Sequence, residues 1–138
     1  MALKYLSMIP LFALLLIIYI ILAGLGVDFS DQAAGLFSMS LFSGATWTPT
    51  MGDFFVIFGI VLLYIELLKA TKTGTATIIE HVSSMFTFIL YLVLFLLWSK
   101  AGTSAFFILS MMSLLDVIAG FTVTIVAARR DIGLGGGG

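Results

Sequence analysis

AFFILSMMSLLDVIAGFTVTIVAA, residues 105–128, is long and apolar enough to cross a bilayer and carries one acid, Asp116, near its middle. A spanning helix needs about 20 residues, range about 17 to 25. Three more stretches of this kind precede it, from Tyr5 to Leu25, Phe54 to Leu68 and Thr77 to Trp98. The chain therefore reads as an all-α membrane protein of four transmembrane helices, a single domain over residues 1–131, followed by a flexible glycine-rich tail at 132–138. Composition agrees: 62% of the residues are hydrophobic and 9% charged, where soluble domains average roughly a quarter charged.

Four spans consume most of a 138-residue chain, so any chemistry has to sit in the bundle or its short loops. No cysteine is present, which removes disulfides, thiolate catalysis and cysteine-held metals. The net charge of -1 comes without a basic run, so nucleic acid is not an expected partner. The first stretch exceeds a signal-peptide core and lacks a small-residue cleavage site, so it reads as a retained anchor with Pro10 in its first turns.

Basic residues set the expected orientation. With the N-terminus in the cytoplasm, Lys4, Lys69, Lys72, Arg129 and Arg130 lie inside and Lys100 alone lies outside. Trp47 and Trp98 then fall at the outer interface, where indole rings prefer to sit. Both termini are expected in the cytoplasm of a cell whose inner membrane, the bacterial one being the favoured setting, holds the chain.

The turns ATKTGTAT (70–77) and Ser99 to Ser104 are short, so helices two and three should form a hairpin and helix four should return beside helix three. Residues 26–53 form a longer outer segment. Ser30 or Asp31 can cap a helix there, with Ala33, Phe37 and Leu41 at helical spacing, while Phe37-Ser38-Met39-Ser40-Leu41 alternates like a strand. A partly helical, interfacial or re-entrant segment is the favoured reading, since an open strand edge in lipid leaves backbone groups unsatisfied.

Asp116 lies about 20 Å from Arg129 at 1.5 Å per residue, near the bilayer midplane. A charge at that depth costs at least about 2.5 kcal/mol and needs a protein or water partner. Ser113, Gly120, Thr124 and Ala128 share its ridge, and ridges of small residues let helices approach closely. Thr87 and Tyr91 of helix three bracket its depth and are the expected hydroxyl donors. Asp116 then either locks helices together or binds a proton or cation.

Glu66, Lys69, Lys72, Glu80, His81, Arg129 and Arg130 gather at the cytoplasmic end, where Glu66 is expected to face Glu80 and His81 in a charge-balanced network. Glu66, Glu80 and His81 could be metal ligands, but residues 80 and 81 point about 100° apart on a helix, so no metal is assigned. His81 and Asp116 are too far apart along the membrane normal for a Ser-His-Asp arrangement, and no phosphate-cradling motif occurs. No cofactor is expected.

These features favour a small non-catalytic integral membrane protein, not an enzyme, acting through helix packing as a subunit, scaffold or accessory factor in a homo-oligomer or larger complex. An oligomeric proton or cation channel or transporter using Asp116 is the alternative. A quinone-, haem- or pigment-binding subunit ranks third.

Overall fold

The computed structural model describes residues 9–29, 37–71 and 75–136; for 75–77, 124, 127, 128 and 130–136 it describes the backbone alone. Lys4, Tyr5, Ser30, Asp31, Ala33 and Lys72 lie outside the described residues, as do the side chains of Thr124, Ala128 and Arg130. The described residues form four α-helices, α1 (Leu11–Gly24), α2 (Met51–Ala70), α3 (Thr75–Leu97) and α4 (Ser104–Gly136), with a short 3-10 turn at Ser99–Ala101. A two-stranded hairpin, β1 (Met39–Ser40) and β2 (Thr46–Trp47), separates α1 from α2.

Three helices are long and apolar enough to cross a membrane, over Met51–Ala70, Ile78–Leu97 and Ser104–Val123. The fourth, α1, is shorter. Its 14 residues rise about 21 Å, against a hydrocarbon core of about 30 Å. Pro10 stands at its N-cap, where the missing donor costs nothing. At the other end of the chain, α4 continues past Ala128 through residues read as tail, as far as Gly136.

The start of α2 is set by a reciprocal cap. Thr50 Oγ1 accepts from Asp53 N–H at 3.0 Å, and Asp53 Oδ2 accepts from Thr50 N–H at 2.9 Å, satisfying two backbone donors that open a helix. Within α2, Gly52, Phe55, Gly59, Glu66 and Ala70 are the buried positions. The glycines admit α4: a Cβ on Gly52 would stand 2.7 Å from Ala105 Cβ, and one on Gly59 2.8 Å from Leu109 Cδ2. Ascending numbers on α2 meet ascending numbers on α4, so the two helices run parallel.

Helix α3 runs against α4, with the Phe95 and Phe107 rings 5.3 Å apart at one end and His81 against Gly120 at the other. Helix α1 packs on α2 and α3. The cyclic order is therefore α1, α2, α4, α3, and this corrects the expected α2–α3 hairpin. Although α2 and α3 are sequential, the glycine face of α2 draws α4 between them, and the extensive contacts of each are with α4 and α1.

Where the outer segment is described, the favoured helix gives way to the hairpin. Met39 pairs with Trp47 and Ser40 with Thr46. Leu41 N–H donates to Ala45 O at 2.8 Å, and Gly44 N–H to Leu41 O at 3.0 Å. Gly44 holds φ at +90°, a conformation that side chains disfavour. Pairing within one hairpin supplies the bonds whose absence argued against a strand.

The core gathers aromatic rings at the end of the bundle where α1 ends and α2 begins. Tyr19 is stacked on Phe29 with centroids 4.0 Å apart, meets Phe55 edge-on at 5.7 Å, and touches Phe106 at 4.9 Å. Its hydroxyl donates to Lys100 O at 3.3 Å and lies 3.0 Å from Thr103 Oγ1, tying α1 to the turn between α3 and α4.

Candidate functional site

Asp116 is 5% exposed and lies in the seam between α4 and α3. Its partner is Ser84, whose hydroxyl donates to the carboxylate, and Glu66, Lys69 and Glu80 act on it electrostatically. The expected donors are engaged elsewhere. Thr87 Oγ1 donates to Ser83 O at 2.8 Å within its own helix, and Tyr91 Oη donates to Phe12 O of α1 at 2.8 Å. The helix register explains the correction. With His81 level with Gly120, one turn along α3 brings Ser84 level with Asp116, whereas counting from helix ends put residues 87 to 91 there.

The ridge around Asp116 is buried where it is described: Ser113 is 1% exposed and Gly120 is also buried. His81 lies over Gly120, where an added Cβ would stand 2.6 Å from the imidazole Cε1, and its ring meets Phe121 at 5.6 Å. A histidine occupies this place because glycine leaves room for the ring.

Glu66 is 6% exposed and turns toward α1, a second departure from the expected network. Its Oε1 accepts from Leu11 N–H at 2.7 Å and lies 3.3 Å from Lys69 Nζ, which also donates to Ile9 O at 3.5 Å. The physical reason is the start of α1: Pro10 offers no side-chain cap, so a first-turn donor takes an acceptor from the neighbouring helix. A carboxylate there also complements the positive helix end. Glu80 is half-buried and Arg129 exposed. Glu66 on α2 and Asp116 on α4 are thus both buried acids, with Glu66, Lys69 and Glu80 within electrostatic reach of Asp116.

Among the described residues no group of three or more His, Cys, Asp or Glu side chains is placed to hold a metal. An open, apolar groove of about 490 Å³ runs between α1 and α2, lined by Leu15, Ile18, Leu22, Phe54, Phe58 and Val61 among others. Such walls accept hydrocarbon but cannot orient a polar reactant.

Sequence reasoning missed two features that carried a signal. Gly52, Gly59 and Glu66 repeat at seven-residue spacing, which places them on one face of a helix. Thr50-Pro-free-to-Asp53 spacing is likewise the cap signature that begins α2, one turn before the first residue assigned to it. The Glu66 bond to Leu11 N–H had no signal, because its partner is a backbone group 55 residues away.

The tyrosine bond can be checked directly. Tyr91→Phe removes the donor to Phe12 O but keeps the ring against Phe106, whose centroid is 5.2 Å away. We expect about 0.5–1.5 kcal/mol lower unfolding free energy in detergent; an unchanged value would mean that the bond contributes nothing to holding α3 on α1.

No protein-family model matches the chain, and no curated protein or solved structure is significantly similar to it.

Proposed function

We propose that this chain is a non-catalytic integral membrane subunit, scaffold or accessory factor that acts through helix packing, with both termini cytoplasmic in a bacterial inner membrane. The observation that carries the reading is that the buried polar side chains close on partners within the chain. Among the described residues no buried side-chain nitrogen or oxygen lacks a hydrogen-bond partner. Tyr91, Thr87 and Ser110 bond to backbone carbonyls, and Glu66 bonds to Lys69 and Leu11 N–H. A bundle so satisfied presents its apolar outside, including Ile57, Ile60 and Phe86, to lipid or to other helices. Self-association or docking into a larger complex uses those faces.

One observation favours a second reading, an oligomeric proton or cation channel or transporter: a buried carboxylate stands within the electrostatic reach of two further acids and a lysine. Asp116→Asn separates the two. Asparagine retains an acceptor for Ser84, so a packing role predicts unchanged particle mass and unchanged copurifying partners from native membranes. Proton or cation flux in vesicles that disappears in Asp116→Asn, with particle mass preserved, supports the channel and overturns the scaffold. A lone monomer without partners overturns both.

A further inference from the structure

The outer hairpin has two unlike faces. Met39 pairs with Trp47 across the strands, and Phe37 and Leu41 lie on the same side by strand alternation. The Phe37 and Trp47 rings meet edge-on at 5.9 Å. Ser40 pairs with Thr46 on the opposite side, and Ser38 Oγ and Thr48 Oγ1 are 3.3 Å apart. One side is thus sulfur, aliphatic and aromatic carbon, and the other is hydroxyls.

Both sides are uncovered in the folded chain. Phe37, Met39, Leu41 and Trp47 are each more than 40% exposed, and Phe42 at the tip is completely so. No charged residue occurs between Asp31 and Asp53. We infer that this hairpin is a membrane anchor, whose apolar face and Phe42 tip enter the headgroup and acyl boundary of the leaflet at the outer ends of the helices while its hydroxyl face remains wet.

Three observations favour lipid over a protein partner. The hairpin leads within four residues from Trp47 into α2 at Met51, so it is held at the end of the bundle where α2 begins. Its neutrality gives a protein nothing to select by charge, whereas a lipid boundary asks only for amphipathy. Trp47 is the residue type that the interface concentrates. Two-residue strands also leave few edge groups to satisfy, and headgroups and water reach those.

The test uses the full chain in phosphatidylcholine vesicles. Trp98→Phe leaves Trp47 as the sole tryptophan. Its emission is expected to be blue-shifted, quenched by lipids labelled high on the acyl chain, and spared by aqueous iodide. The added double substitution Leu41→Ser with Phe42→Ser should shift the emission to the red and abolish lipid quenching without loss of helix content. Because Trp98 packs near the core, a second measurement keeps both tryptophans: a nitroxide on Ser43→Cys, the only thiol in the chain, should sit about 5–10 Å below the phosphates. Emission quenched by iodide and not by lipid overturns the inference. So does a Trp47 shielded from both quenchers, the result expected if a second copy or another protein covers the hairpin.

Discussion

Glu66→Ala should lower the unfolding free energy in detergent by about 3 kcal/mol, the largest effect expected of any single side chain at the end of the bundle where α1 begins. One carboxylate oxygen serves two groups there, Leu11 N–H at 2.7 Å and Lys69 Nζ at 3.3 Å. Removing it strands a helix-opening donor beside α2, and leaves the Lys69 ammonium with a single carbonyl contact at 3.5 Å. Glu66→Gln retains an acceptor for Leu11 and loses only the charge, so its cost should be smaller. Combining Glu66→Ala with Lys69→Met removes the stranded cation and should recover part of the loss, which a double-mutant cycle reads directly. Equal stability of Glu66→Ala and the parent protein, by denaturant titration, would show that α1 is held without this bond.

Gly52→Ala should cost about 1–3 kcal/mol by overpacking, and its rank among glycines is the more stringent test. The new Cβ would lie 2.7 Å from both Ala105 Cβ and Phe29 O, and neither atom can swing aside without backbone movement. At Gly59 the obstacles are Leu109 Cδ2 at 2.8 Å and Met112 Sδ at 3.1 Å, ends of side chains that can rotate, so Gly59→Ala should be milder. Gly24 has nothing within 4 Å of an added Cβ, and its alanine variant should be close to neutral. Thermal midpoints in detergent ordered any other way would mean that α2 and α4 do not meet as closely as these distances require.

The spans were legible in the sequence because their signal is local: a run of apolar side chains between polar ends locates a helix whatever it packs against. α2 begins three residues before Phe54 and ends two after Leu68, α3 begins two before Thr77 and ends one short of Trp98, and α4 begins one residue before Ala105 and runs on past Ala128 to Gly136. Helix order in the bundle was not legible, since short turns report which helices are joined rather than which are neighbours. Gly52 and Gly59 held that information, but choosing α4 as their partner depends on side chains elsewhere in the chain. Asp116 stood out because an acid amid apolar residues is conspicuous in any reading. Its partner did not, because a shift of one helical turn in register exchanges Thr87 for Ser84, and composition is indifferent to that shift. The hairpin was concealed by a pattern that fitted both periods, with Phe37 and Leu41 four apart and Phe37, Met39 and Leu41 two apart; cross-strand bonds to residues 45–47 decided it.

The interposition of α4 between α2 and α3 also bears on the order in which the bundle can close. During synthesis α2 and α3 are made before α4, so the face that each packs against it waits for its partner. The notches at Gly52 and Gly59 and the hydroxyl of Ser84 find their counterparts only when residues 105–116 arrive. Residues 105–116 therefore act as a keystone: before they are seated, α1 can already hold α2 through Glu66 and α3 through Tyr91, but the faces that α2 and α3 turn toward α4 stay unfilled.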